Sequence, residues 1–253
     1  VATPGTTIDP IYQFEIKAIV PIHVFGLDLS FTNSALFMVF IVAGIWFLMV
    51  WGTRNRELVP GRMQALSEVF YEFVASTVRG SAGHEGMRFF PFVFSLFMFI
   101  LFANLMGLIP YSYTVTSQLA VTGAFAALVM TVLLGYGFFR HGAKFLRLFV
   151  PSGVHPALLW FVVLIEVISF LSRPVTLSIR LFANMMAGHI TLKVFGAFVT
   201  MLLGAGAYAA LAPLPLLGVM AILGFEVLVG VLQAYVFTIL TCVYLNDAIH
   251  PGH

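Results

Sequence analysis

The chain has 253 residues, 61% of them hydrophobic and 9% charged, with a mean hydropathy of +1.05. Soluble domains carry about 25% charged residues, so this composition excludes a water-soluble globule and defines an integral membrane protein. A net charge of +2, with no basic aromatic groove, leaves nothing for nucleic acid to bind. The single cysteine, Cys242, excludes an internal disulfide and a cysteine-based metal site, and reads as a small apolar helix residue.

Residues 1–30 contain Pro4, Asp9, Pro10, Pro21 and Asp28 and lack a basic leader. They read as an outer-side segment rather than a retained signal peptide. The start at Val1 points to processing or trimming, and IYQFEI is expected at the membrane surface. Residues 31–253 read as one membrane domain. Its first span, 31–51, is long enough for a hydrocarbon layer of about 30 Å. A loop with Arg54, Asn55, Arg56, Glu57 and Pro60 follows. Over 62–79, Met63, Leu66, Phe70, Phe73, Val74 and Val78 recur at helical spacing, opposite Gln64, Glu68, Glu72, Ser76 and Arg79. That amphipathic helix is too polar to span and is expected in the interface. After a polar loop, GSAGHEGMR, come a second span (89–109) and a third (116–139). A basic, turn-rich stretch (140–156) precedes a long apolar run, 157–203; a Gly/Ala/Pro-rich turn (204–215) leads to the last run, 216–245. The expected fold class is all-α, about five membrane helices plus one interfacial helix, the last two spans long enough to tilt.

Basic residues set the orientation. Eight of the twelve Lys and Arg (Arg54, Arg56, Arg62, Arg79, Arg88, Arg140, Lys144, Arg147) lie in the connections after the first and third spans. The positive-inside rule puts those connections inside, hence the N-terminus outside and the C-terminus inside.

Ionisable groups within the last two runs carry the chemistry. Arg at the centre of a membrane helix costs about 2.5–3.5 kcal/mol on insertion scales, so each such residue needs a reason. Glu166, Arg173 and Arg180 are seven apart and fall near one stripe, which Asn184 joins; His189 falls on roughly the opposite side. In the last run Glu226 and Gln233 are again seven apart, and Glu226 is its one acid. A lone buried carboxylate needs a partner or a proton, and His189 is the natural candidate across an antiparallel pair. Arg180 stays protonated at any biological pH, so it suits a gate better than a proton carrier. Asn184 and Gln233 also fit plain interhelical hydrogen bonding. Arg173 and Lys193 fit snorkelling to opposite headgroups, and His141 and His155 fit interfacial structural roles. Pro174 is expected to kink or open its helix. No nucleotide-binding glycine loop or paired haem-ligand pattern occurs, so no cofactor is expected.

The stretches SRPVTLSIRLFANMMAGH and FEVLVGVLQAYVFTILTCVYLNDA, with FANLMGLIPY and PIYQFEI, resemble subunit a of F-type ATP synthases over most of the chain. The resemblance implies a stator subunit whose last two helices lie tilted against a rotating ring of subunit c, with a peripheral stalk (subunit b or its equivalent) as further partner. It implies that Arg180 faces the ring carboxylate, with Asn184 and Gln233 beside it. Glu166 is implied in a half-channel open inward, and His189 with Glu226 in one open outward. The order histidine first, acid second is that of mitochondrial-type members, which fits an alphaproteobacterial or organellar lineage and an inner-membrane location. Such a subunit conducts protons and makes no bonds. The competing class is a proton-coupled secondary transporter, in which Arg180 binds an anion and Pro174 breaks the helix; such proteins often show related halves, and these halves differ. A scaffold subunit of a respiratory complex is a further alternative, with no need for Arg180 to face a partner's carboxylate.

Overall fold

The structure, a computed structural model, describes residues 15–21, 23–24, 27–28, 30–54, 57, 59–109, 112–142, 145–146, 150 and 156–249. Among these the chain forms α1 (Asn33–Arg54), α2 (Arg62–Gly86), α3 (Phe90–Gly107), α4 (Leu119–His141), α5 (Pro156–Leu203) and α6 (Pro213–Ile249). Five helical stretches are long and apolar enough to cross a membrane, α2 and α3 together forming one of them. The protein is an all-helical integral membrane protein.

The centre is α3, apolar around most of its circumference as a largely buried helix must be. It buries Val93, Leu96, Phe97, Met98, Ile100 and Leu101 against α1, α2 and α6. Helix α6 contributes Ala234, Phe237, Cys242 and Leu245 to the same core, and α5 contributes Leu177, Leu181 and Met185. Trp46, Trp160 and Phe225 point outward with many other large apolar side chains. That inversion is stable only where lipid is the solvent.

Four details depart from the sequence expectation. The segment before α1 contains paired strands, β1 (Ala18–Val20) with β4 (Phe31–Thr32) and β2 (His23–Val24) with β3 (Leu27–Asp28). Asn33 ties that hairpin to α1, its Oδ1 accepting from the Lys17 and Ser34 amides at 3.1 and 2.9 Å and its Nδ2 donating to Glu15 O at 3.1 Å. The IYQFEI stretch falls largely outside the described residues. The expected polar loop after residue 79 is instead helical to Gly86, interrupted at Gly83 (φ 68°), where a side chain would be strained. Helix α2 buries Val74 and Val78 of the expected apolar face, with Phe70 packed beside them, but adds the small Ser67, Ala75 and Ala82 and leaves Met63, Leu66 and Phe73 exposed. Small residues let backbones approach closely, and in a bilayer large apolar ones lose nothing by facing out. Finally, α6 continues to Ile249, which brings Asp247 onto the helix. The chain stays helical on both sides of Pro174.

Candidate functional site

Helices α5 and α6 run antiparallel, and three contacts fix their register. Phe195 lies against Gly218, Gly188 against Glu226, and Arg173 against Asp247. Interpolation along these pairs sets Gln233 level with Asn184, within about one turn (~5.4 Å) of the level of Arg180.

At the end of the pair near Asp247, Arg173 Nη1 donates to Asp247 Oδ2 at 2.8 Å, and its Nη2 lies 4.0 Å from Glu166 Oε1. The guanidinium sits 5.1 Å from the Tyr244 ring centre and 5.6 Å from that of Phe170. Arg173 is therefore an interhelical clamp, which corrects the snorkelling expectation: Asp247, on the extended end of α6, gives it a carboxylate within reach. Glu166 belongs to the same cluster.

At the far end, His189 and Glu226 are both buried, 8% and 3% exposed, but they are not bonded to one another. His189 Nε2 lies 3.1 Å from Thr114 Oγ1 on the turn between α3 and α4. The Glu226 carboxylate rests on the α5 backbone at Gly188, where a Cβ would stand 2.1 Å from Oε1. Neither Glu226 oxygen has a hydrogen-bond partner among the described residues. The expected acid–imidazole pair is thus one of neighbours, because each group has its own seat: the missing side chain at Gly188 for the acid, the Thr114 hydroxyl for the ring. Glu15, Lys17, Ser112, Tyr113, His189 and Lys193 line a cleft of about 810 Å³ that reaches this end.

Between the two ends lie Arg180, Asn184 and Gln233. Arg180 is exposed and the two amides are half-buried. None of the three makes a side-chain hydrogen bond or ion pair with any described residue. Around Arg180 the α5 flank is open at Thr176, Ile179, Ala183 and Ala187; α6 is open at Leu232, close to that level, and at Leu228, Gly224 and Ala221 toward the Glu226 end.

Residues outside the sequence-based set complete the architecture. Asn104 of α3 donates Nδ2–H to Gly230 O at 2.9 Å and accepts from Thr116 Oγ1 at 2.9 Å, fixing α6 one turn from Glu226. Its signal was available: a lone amide in the most apolar helix. Thr114 gave none, since a threonine in a polar turn looks like any other. Thr122 Oγ1 lies 3.2 Å from Ser178 Oγ and joins α4 to α5.

These features define a class: an all-helical membrane protein whose two long helices present one fixed positive charge between two separate polar clusters. A family model described as ATP synthase A chain matches residues 35–246. The chain is 62% identical over 247 residues to the ATP synthase subunit a of Beijerinckia indica subsp. indica, covering 97% of this chain and 98% of that one. It is 63% identical over 246 residues to that of Chelativorans sp. (97% and 99% covered). Over 249 residues it is 59% identical to that of Azorhizobium caulinodans (98% and 100% covered). The chain belongs to the ATP synthase A chain family, and these relatives are alphaproteobacterial.

Proposed function

We propose that the chain is the proton-conducting stator subunit of an ATP synthase membrane sector, offering two offset half-channels to a ring of carboxylate-bearing subunits. The observation that carries this is the middle of the α5–α6 pair. Arg173 is clamped internally, whereas Arg180, Asn184 and Gln233 make no side-chain hydrogen bond or ion pair with any described residue and Arg180 is exposed. In a bilayer such a charge requires a counter-charge, and the open flanks of α5 and α6 give a partner helix room to bring one. The long helices are taken to lie tilted against that ring, with the peripheral stalk (subunit b or its equivalent) bound elsewhere. The membrane is taken as a bacterial inner membrane, N-terminus outside and C-terminus inside.

The mechanism follows from the charges. A proton enters along the outer cleft past His189 and Glu226 and neutralises a ring carboxylate. The neutral acid can face lipid; a carboxylate could not. After rotation the acid meets the inner cluster near Glu166 and releases its proton inward. The carboxylate is then drawn to Arg180, with Asn184 and Gln233 as hydrogen-bonding neighbours. Arg180 also blocks a direct leak between the half-channels. One charge crossing 100 mV releases about 2.3 kcal/mol, so several protons combine for each ATP, and the bond-making belongs to other subunits.

Arg180→Ala tests this reading. It should abolish proton-driven ATP synthesis and let protons leak through the membrane sector once the catalytic head is removed. Arg180→Lys keeps the charge but loses the planar fork, and should rescue poorly. A transporter would instead lose substrate binding without a ring-dependent leak. Near-normal ATP synthesis in Arg180→Ala vesicles would refute the assignment.

A further inference from the structure

We propose that Thr114 is a positioning residue of the outer proton path, holding the His189 ring in place in both of its protonation states; this rests on the outer-path reading above. Thr114 lies on the turn between α3 and α4, 4% exposed, with Oγ1 at 3.1 Å from His189 Nε2. Its seat is tightly built. Cγ2 and Oγ1 occupy the space where a Cβ on Gly107 would stand, 2.8 and 3.1 Å from that position. Its carbonyl accepts from the Ser117 hydroxyl at 2.6 Å and from the Ser117 amide at 3.2 Å. The same turn is fastened to α3 by the Thr116–Asn104 hydrogen bond. The oxygen of Thr114 is therefore fixed in space while its hydrogen remains free to rotate.

That combination suits a group that gains and loses a proton. A hydroxyl has one donor and two acceptor lone pairs. It donates to the bare Nε2 of one state and accepts from the N–H of the other. A backbone carbonyl could serve only the second, and a backbone amide only the first. With Thr114 opposite, His189 keeps its ring position as protons come and go.

The charged surroundings make the acceptor role the important one. Lys193 stands one turn along α5 and lines the same cleft as His189. Glu226 of α6 lies against the neighbouring Gly188, while Lys17 and Glu15 of the N-terminal segment and Tyr113 of the turn line the same cleft. A lysine nearby opposes a second positive charge on the ring. An oxygen lone pair at Nε2 offsets that opposition, and hydrogen bonds to an ionised group are the stronger kind. Removing the hydroxyl therefore penalises the imidazolium more than the neutral ring.

The experiment uses membrane vesicles carrying the whole complex, with proton flux measured after removal of the catalytic head and normalised to assembled complex. Thr114→Val keeps the shape and removes the hydroxyl. Flux should fall about fivefold, the size of one lost hydrogen bond, and the outer pH of half-maximal flux should move toward acid by about half a unit. Thr114→Ser should keep flux within about twofold, with its midpoint unmoved. Thr114→Ala carries the test if valine does not assemble. The proposal is overturned by unchanged flux without the hydroxyl, by equal damage in serine and valine, or by lower flux with a fixed midpoint. It is also overturned if only hydroxyl-bearing variants assemble, because the hydroxyl then serves the fold. His189→Ala separates the two levels of inference. If that change leaves flux intact, the outer path itself is wrong; if it blocks flux while the Thr114 variants behave normally, only the positioning role fails.

Discussion

Gly188→Ala offers a graded displacement of the Glu226 carboxylate. A Cβ at position 188 would stand 2.1 Å from Glu226 Oε1 and 2.7 Å from its Cδ and Cγ. Ordinary contact begins at 3.4 Å, so Oε1 must retreat by about 1.3 Å (3.4 − 2.1) and the whole end of the side chain must follow. Glu226 is fully packed, and overpacking of this kind costs about 1–3 kcal/mol, which an assembled complex can absorb. Transfer chemistry is less tolerant, since a misplacement of about 1 Å can cost on the order of a hundredfold. The expected outcome is normal assembly with proton flux reduced by about ten- to a hundredfold. Uptake into vesicles stripped of the catalytic head measures it, scaled to co-purified ring. Glu226→Asp, shorter by one methylene, should recover part of the flux when combined with Gly188→Ala. Wild-type flux in Gly188→Ala, or no recovery in the double variant, would refute the role given to the Gly188 seat.

Breaking the Arg173–Asp247 clamp by Arg173→Leu should lower stability by about 1–2 kcal/mol, the pair being only partly buried. The charge exchange Arg173→Asp with Asp247→Arg should restore most of it, as read from thermal dissociation of the membrane sector. Asn104→Leu leaves Gly230 O and Thr116 Oγ1 without their partner in a buried place. A loss of about 2–4 kcal/mol is expected, seen as poor assembly, and near-normal yield would contradict it. His189→Glu with Glu226→His returns an imidazole and a carboxylate to the outer path. Its flux should exceed that of either single change; equal loss would mark both as structural.

Composition and periodicity were enough to read the membrane helices, since apolar runs leave little choice where lipid is the solvent. The six candidate residues stood out for a related reason: polar groups are conspicuous in an apolar run. What stayed hidden was which group touches which. The clamp on Arg173 depends on α6 continuing to Ile249, and nothing in the polar ending NDAIHPGH marks Asp247 as a partner for a residue 74 positions away. The separation of His189 from Glu226 depends on the absence of a side chain at Gly188 and on a turn folding back from α3. Helical spacing gives the face of a residue and not its depth or its neighbour across the bundle. The inward face of α2 was legible only in part: Phe70, Val74 and Val78 pack inward as the spacing implies, while Met63, Leu66 and Phe73 face out, because lipid removes the drive to bury large apolar side chains.

The three groups left unsatisfied in the middle of the α5–α6 pair bear on how the chain exists at all. Buried polar side chains are nearly always hydrogen-bonded, and this chain obeys that rule around Asn104, Thr114, Ser178 and Arg173. Arg180, exposed, and Asn184 and Gln233, half-buried, make no such bond with any described residue and stand near one level, so their polar groups form one open patch. A partner that supplies a carboxylate there binds the folded chain and not the unfolded one, so it stabilises the chain by mass action. On the proposed reading, a turning ring brings a new carboxylate each time one leaves. The strength of that contact is therefore bounded from both sides: strong enough to draw each acid into its charged form, weak enough that protonation releases it. A permanently charged guanidinium beside two neutral amides meets both bounds, because the attraction is large for a carboxylate and collapses to an ordinary hydrogen bond for the protonated acid.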